Sequence, residues 1–166
     1  DLGCVVEQTD PGWDDPGATF WALVALESDL GGMRAMAEEL GEKMSPSLAG
    51  VLGMDFSAEY MNAGIMTRKH VYNKMWRFMR SYDLVLTPTI AVPPFPTGRQ
   101  VPETVDGRPA GPLDALAFTF PMNMTGQPAA SVPAGWTADG LPVGLQIIGR
   151  RLEDDVVLRA SAAFEA

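Results

Sequence analysis

The chain has 166 residues, of which 46% are hydrophobic and 20% are charged, a balance typical of a globular protein rather than a disordered one. A compact chain of this length buries roughly 70% of its unfolded surface, so the size allows one domain with a core. The net charge of -9 argues against a nucleic-acid partner, because binding to phosphates requires clustered Lys and Arg.

The first ten residues contain a short apolar run around Cys4, Val5 and Val6. This run predicts an N-terminal strand in which Cys4 is a small buried side chain. Nothing precedes the strand to pair with it or cover it, which is how a fragment of a longer chain begins. A single cysteine cannot form a disulfide within the chain, and no signal peptide is recognisable, so we expect a cytoplasmic protein.

Three helices are predicted in the region that follows. The dipeptide Asp15-Pro16 supplies an N-cap and a first-turn proline for a helix that the pair Gly31-Gly32 ends. A second helix is predicted from Met33 to Lys43, because its apolar residues recur on one face. A third, shorter helix starts at Ser45-Pro46.

The longest amphipathic segment begins near Ser57 and predicts a long helix with one apolar stripe facing a core. The apolar positions of this stripe are Met61, Ile65, Tyr72, Met75, Trp76 and Met79. The basic residues of the helix fall mostly on its other faces, which indicates a solvated surface, with a partner-binding site as the alternative. They are Arg68, Lys69, Lys74, Arg77 and Arg80.

After residue 81 the pattern changes from helical to extended. The apolar run Leu84-Val85-Leu86 suits a central strand, which Pro88 ends because proline cannot donate to a strand ladder. A long loop rich in Pro and Gly follows from Ala91 to Pro112, and such loops in compact domains are usually functional or disordered. Residues 113–120 then predict two helical turns, with Pro121 as the break.

Two further strands are predicted, from Ala129 to Trp136 and from Val143 to Ile148. The turn dipeptide Asp139-Gly140 between them favours antiparallel pairing. Carboxylates beginning at Glu153 precede the last helix, where they complement the positive end of its dipole. The uncharged stretch 115–138 contains prolines and side-chain amides that would leave polar groups unsatisfied in lipid, so we expect buried core and no membrane span.

No complete catalytic constellation is recognisable in these residues. No serine lies in the Gly-x-Ser-x-Gly frame of a nucleophile elbow, and Ser131 falls in the middle of a predicted strand. The single histidine, His70, lies among the basic residues of the long helix, where a surface or interface position is expected. One cysteine and one histidine far apart leave only carboxylates as metal ligands, so no metal site is predicted, and Gly31-Gly32 lacks the pattern of a phosphate loop.

Two motifs in the second half carry a resemblance to a known family. The segment Tyr82 to Thr89 is similar to an Asp-hydrophobic-Thr-Pro strand, and Thr119 to Arg151 reads TFPMNMTGQPAASVPAGWTADGLPVGLQIIGRR. Together with the final helix ending at Phe164-Glu165, they resemble the C-terminal portion of the amidase signature family. The resemblance implies an α/β fold with a mixed β-sheet covered by helices, incomplete alone, in which residues 1–81 and 82–166 are two parts of one domain.

The resemblance also implies that the catalytic groups lie elsewhere. Members of the family hydrolyse amides with a Lys, a bridging Ser and a nucleophilic Ser, all in the N-terminal part, and need no cofactor. The candidate residues of this chain match none of those motifs; they are Lys43, Lys69, Lys74, Ser45, Ser47 and Ser57. We therefore expect no catalytic residue here, and the expected partner is an N-terminal amidase portion, in the same chain or in a companion chain.

The expected contribution of this chain is the wall of a substrate pocket. In the family, the short helix before the motif Pro121-Met-Asn123 lines the channel for the acyl group, and here it would present Leu113, Leu116 and Phe120. An apolar wall favours a small amide with an apolar acyl group, because a charge would be desolvated without a partner. The alternative is that the three residues are simply core.

Four polar residues complete the set of candidates. Thr87 and Thr89 are expected at the end of a strand near the cleft, and Asn123 and Gln146 are expected to form scaffold hydrogen bonds within apolar surroundings. The family also includes glutaminase subunits of tRNA amidotransferases, but Leu116 occupies the position of their acidic glutamine-binding residue, which argues against that role.

A second hypothesis treats the chain as a non-catalytic interaction module that retained this half of the fold. Such a module would fold alone and present a smooth polar surface. A portion of a hydrolase would instead expose apolar patches and an unpaired sheet edge.

Overall fold

The computed structural model describes residues 2–166, apart from the side chain of Glu42, and these residues form helices, one three-stranded sheet and one small hairpin. The helices are α1 Gly17–Leu26, α2 Leu30–Leu40, α3 Pro46–Leu52, α4 Ala58–Phe78, α5 Phe120–Thr125 and α6 Asp154–Glu165. The strands are β1 Leu84–Pro88, β2 Thr104–Val105, β3 Arg108–Pro109, β4 Ala129–Trp136 and β5 Pro142–Gly149. Short 3-10 turns occur at Gly41–Lys43 and Asp114–Leu116. None of the described helices is long and apolar enough to cross a membrane.

The chain divides into two compact units. One is Asp15–His70, and the other combines the residues up to Asp14 with Val71–Ala166. The boundary falls inside α4, so these units differ from the segments 1–81 and 82–166 that the sequence suggested. That the two segments form one domain stays a prediction.

The helical unit is organised by side chains that cap or cross-link its helices. Asp29 accepts a hydrogen bond from the backbone N–H of Gly32 at 2.9 Å and caps α2. The predicted end of the first helix at Gly31-Gly32 is therefore wrong, because α1 stops at Leu26 and the two glycines lie in the first turn of α2. The Arg34 guanidinium donates to the carbonyl of Leu52 at 3.0 Å, which ties α2 to the end of α3.

A close contact between α1 and α4 stabilises the same unit. The Ala22 side chain is completely buried, and a Cβ added at Gly64 would lie 2.7 Å from the Ala22 methyl group. The Tyr60 hydroxyl donates to the carbonyl of Ala18 at 3.0 Å, and Arg68 pairs with Glu27 at 2.7 Å. Because glycine has no side chain, the two helix backbones approach closely at this point.

The three-stranded sheet has the order β1-β5-β4, and both strand pairs are antiparallel. β5 is the central strand, and its residues Ile147 and Ile148 are almost fully buried. β1 was expected to be central, but in the described residues it pairs only with β5 and forms one edge. The turn after β4 contains Gly140 at a φ of 76°, as the predicted Asp-Gly turn requires.

The two faces of the sheet carry separate apolar clusters. On one face Val132 and Ile147 pack with Val157 of α6, and on the other Ile148 packs with Met75 of α4 and with Met79, which follows that helix. The predicted stripe of α4 is only partly correct. Its buried positions continue through Val71, which the sequence analysis missed, whereas three predicted members are exposed. These are Ile65, Tyr72 and Trp76.

The N-terminal residues do not form the predicted strand. Residues 2–10 have no regular secondary structure, and Val5 is 92% exposed. Cys4, expected to be buried, is exposed, and Asp1 lies outside the described residues. No described strand pairs with this segment, and a strand without a partner does not satisfy its backbone groups.

The segment between β3 and β4 departs from the predicted helical turns. Residues 114–116 form a 3-10 turn, and α5 begins only at Phe120, with Pro121 in its first turn. Pro121 therefore starts a helix rather than breaking one, because a first-turn residue needs no N–H for a hydrogen bond within the helix. Gly126 ends α5 in the left-handed conformation at a φ of 71°.

Replacing Gly64 with alanine should destabilise the protein. The new methyl group would meet Ala22 at 2.7 Å and the Thr19 carbonyl at 3.2 Å, so we expect a loss of about 1–3 kcal/mol in the free energy of unfolding. Urea unfolding followed by circular dichroism measures it. Gly50→Ala is the matched control, because Gly50 also lies in a helix and its added Cβ meets nothing within 4 Å. Equal effects of the two substitutions would contradict this account of packing.

Candidate functional site

A cavity of about 290 Å³, which we call the polar cleft, lies beside the sheet. It is lined by side chains from the end of β1, from α5 and from strands β4 and β5. Its lining residues are Thr89, Thr119, Met122, Asn123, Gln127, Ala129, Ala130, Ser131 and Gln146. The cleft is therefore built by segments far apart in sequence that the sheet brings together.

The sheet register explains why polar residues meet here. Gln146 of β5 lies opposite Thr87 of β1 on one side and opposite Ser131 of β4 on the other. Residues directly opposite one another in a sheet place their side chains on the same face. A row of polar side chains therefore runs across all three strands.

Gln146 is the buried centre of this row, with 4% of its surface exposed. Its side-chain Nε2 donates to the Thr87 hydroxyl at 2.9 Å and to the carbonyl of Phe118 at 2.8 Å. These two bonds use both hydrogens of the amide nitrogen. Gln146 thus fixes the backbone before α5 against the end of β1, and its scaffold role stays a prediction.

A second polar contact joins two of the residues that line the cleft. The hydroxyl oxygens of Thr89 and Ser131 are 2.7 Å apart, and the Thr89 N–H donates to the carbonyl of Gly144 at 2.9 Å. A Cβ at Gly144 would lie 2.7 Å from each hydroxyl oxygen. Glycine at this position is therefore what allows the two hydroxyl groups to meet across β5.

The structure separates the predicted pocket residues into two groups. Thr89, Asn123 and Gln146 line the polar cleft, and Thr87 contacts it through its hydrogen bond to Gln146. The three apolar candidates do not line the polar cleft, and no single helix carries all of them. Leu113 precedes the 3-10 turn, Leu116 ends it with 39% exposure, and Phe120 begins α5 and is buried.

Two residues of the site are missed at the level of sequence. The pattern around Ser131 indicates only a strand residue. The signal that could have found it is the Asp-Gly turn, because pairing of the two strands on either side of this turn places Ser131 opposite Gln146. Gln127 lines the cleft, and its Oε1 is buried without a hydrogen-bond partner in the described part of the chain. No sequence signal indicates that its amide is enclosed.

The chemistry of the polar cleft is restricted to hydrogen bonding. Its side chains are hydroxyl, amide and apolar groups, and none of the lining residues titrates near neutral pH. His70 is exposed on α4 and does not line the cleft. Hydroxyl groups without a neighbouring base are weak nucleophiles, so the cleft can orient a bound group but has no means of activating a nucleophile. Among the side chains that the structure describes, no cluster of three His, Cys, Asp or Glu residues is placed to hold a metal ion.

Comparison with known sequences places the chain among amidases. The family model described as Amidase matches residues 34–158. The acylamidase of Rhodococcus erythropolis is 34% identical over 178 residues, covering 100% of this chain but 36% of the acylamidase. A glutamyl-tRNA(Gln) amidotransferase subunit from Lactococcus lactis subsp. lactis is 36% identical over 111 residues, which are 67% of this chain and 21% of the relative.

Solved structures show the same relationship. A bacterial aryl acylamidase of the amidase signature enzymes superposes with a TM-score of 0.82 and 30% identity, covering 96% of this chain and 36% of that chain. A structure described as an amidase shares the fold with a TM-score of 0.78, covering 92% of this chain and 35% of that chain. The chain thus spans about a third of the length of these relatives, and its fold is part of theirs.

Replacing Gln146 with methionine should destabilise the cleft. Methionine keeps the length of the side chain but removes both donated bonds and leaves the Phe118 carbonyl without its partner. We expect a loss of about 1–3 kcal/mol in the free energy of unfolding, measured by urea titration. As a control, Asn123→Ala changes an exposed side chain and should stay within about 0.5 kcal/mol of the parent. An unchanged stability of Gln146→Met would remove the scaffold role from Gln146.

Proposed function

The chain belongs to the amidase signature family, and on that premise we propose that it forms the scaffold and one pocket wall of an amide hydrolase. The serine and lysine residues that break the amide bond are supplied by an N-terminal amidase portion, in the same or a companion chain. The observation that carries the proposal is the polar cleft, which has orienting groups but no titratable side chain. Such a cleft completes a catalytic site without being one.

Exposed apolar surface favours this proposal over a free-standing interaction module. Trp136 is 73% exposed, and Leu158 of α6 is 67% exposed. β1 has one edge without a partner strand among the described residues. A module that functions alone would cover such side chains and edges, whereas an incomplete fold leaves them for the remaining part to cover.

The acyl side of the pocket is proposed to lie around Leu116 and Phe118. Both side chains are partly exposed, at 39% and 36%, and the Phe118 carbonyl is held by Gln146 at the edge of the polar cleft. An apolar surface beside orienting hydroxyls suits a small amide with an apolar acyl group. The names of the relatives, acylamidase and aryl acylamidase, agree with such a substrate.

The glutaminase role is less well supported. Leu116 provides no charge to bind the ammonium group of glutamine, and the match to the amidotransferase relative is shorter than the match to the acylamidase.

Two further parts of the proposal concern the cofactor and the location of the hydrolase. The hydrolase needs no cofactor, because an acyl-enzyme on serine requires none, and it acts in the cytoplasm, in keeping with a single cysteine.

The chain alone should not hydrolyse amides. We expect no release of nitroaniline from p-nitrophenyl amides above the rate in buffer and no covalent labelling by a serine-directed fluorophosphonate, measured by intact mass. The physical reason is the absence of a base next to any cleft hydroxyl. Hydrolysis accompanied by labelling of Ser131 would overturn the proposal that the catalytic serine belongs to the N-terminal portion.

In the enzyme completed by an N-terminal amidase portion, Leu116→Asp should lower kcat/KM for amides with apolar acyl groups by roughly tenfold or more, because the acyl chain would face an uncompensated charge. Stability should change little, since Leu116 is 39% exposed. Leu141→Asp adds the same charge in the turn between β4 and β5, where the side chain is 40% exposed, and is the matched control. Equal losses in the two variants, or none in either, would exclude Leu116 from the acyl wall.

A further inference from the structure

A second cavity has a volume of about 340 Å³, and the charge of its lining is opposite in sign to the net charge of the chain. Three arginines and one glutamate line it, so its formal charge is +2 in a protein whose net charge is -9. Two aromatic side chains share the lining. We call it the arginine cavity. Its volume falls within the usual range of small-molecule pockets.

One wall of the arginine cavity is a ladder of side chains along α4 and the turn after it. Tyr72, Trp76 and Arg80 follow one another at steps of four residues, the spacing of neighbours on one helix face. The Arg80 guanidinium carbon lies 5.4 Å from the centre of the Trp76 ring, within the range of a cation–π contact. Trp76 nevertheless remains 54% exposed, so a large part of its surface stays open to a second planar group.

Another part of the cavity lining is held in place by the hydrogen bonds of Arg150. Its Nε donates to the Met79 carbonyl at 2.8 Å, and its Nη2 donates to the Tyr82 carbonyl at 2.8 Å and to Asp83 at 2.9 Å. Its Nη1 lies 3.5 Å from the carboxylate of Glu153. Arg150 and Glu153 are thus committed to each other and to the backbone, and they add no free charge to the cavity.

The charge available to a ligand comes from the other two arginines. Among the described side chains, neither Arg80 nor Arg151 has a carboxylate partner, although acidic residues outnumber basic ones in this chain. Guanidinium groups bind carboxylates through paired, charge-assisted hydrogen bonds, and they stack on planar groups. A ligand that combines an aromatic ring with a carboxylate matches both properties of the cavity.

We propose that the arginine cavity binds an aromatic carboxylate, with its ring against Trp76 and Tyr72 and its carboxylate on Arg80 and Arg151. An aromatic acid fits better than an acidic peptide, because the cavity offers an exposed indole beside the charges rather than a long basic surface. This binding requires no amide hydrolysis, so it holds or fails independently of the proposed function.

Calorimetric titration of the full chain with 1-naphthoate tests the proposal, with the neutral isostere 1-naphthamide as the ligand control. We expect 1-naphthoate to bind at least about tenfold more tightly than 1-naphthamide, and Arg80→Gln and Arg151→Gln each to weaken its binding roughly tenfold. Trp76→Leu should weaken both ligands, because it removes the stacking surface. Arg108→Gln, which removes the same charge from an exposed residue outside the cavity lining, should change the affinity less than about twofold.

Three results would overturn the proposal. Equal affinity for naphthoate and naphthamide would show that the charges do not recognise a carboxylate. An equal loss in Arg108→Gln would reduce the effect to net charge. Binding of poly-glutamate through Arg80 and Arg151, without binding of naphthoate, would assign the cavity to an acidic peptide segment instead.

Discussion

The pair of hydrogen bonds donated by Gln146 is the constraint on which the candidate site depends. Gln146 is the one polar side chain buried in the central strand, and it connects the Thr87 hydroxyl to the Phe118 carbonyl. A buried amide must find partners for its donors, so the segment before α5 is held beside β1. This arrangement places Asn123 and Ser131 around the same cleft.

Much of the fold was predictable from the sequence because local signals agreed with tertiary contacts. The long helix beginning after Ser57 and the hairpin around Asp139-Gly140 form as expected, since helical periodicity and turn chemistry are properties of short segments. The end of α1 was misplaced because Asp29 caps a new helix, α2, before the glycine pair is reached. A capping Asp and a Gly-Gly pair are both local signals, and composition alone does not tell which of them prevails. Pro121 was likewise predicted to be a break, although proline is equally suited to a first turn.

The candidate site was less predictable, and the reason is geometric. Which polar residues share the cleft is decided by strand register, so the positions of Ser131 and Gln127 could not be predicted before the pairing was known.

The wrong prediction of burial for half of the apolar stripe on α4 has a different cause. Periodicity identifies side chains that prefer burial, but it cannot state whether the covering surface belongs to this chain. Ile65 is an apolar position of this stripe whose cover is not present among the described residues.

The two outer strands of the sheet are chemically unequal. β4 carries Pro133 and an irregular register up to Gly135, and proline offers no N–H to a neighbouring strand. β1 presents uninterrupted backbone groups from Leu84 to Thr87, with proline only at its last position. β1 is therefore the better edge for the addition of a further strand. When the chain is produced without a partner strand, self-association should begin at β1. A strand that pairs with the edge of β1 would therefore keep the protein soluble as well as complete the sheet.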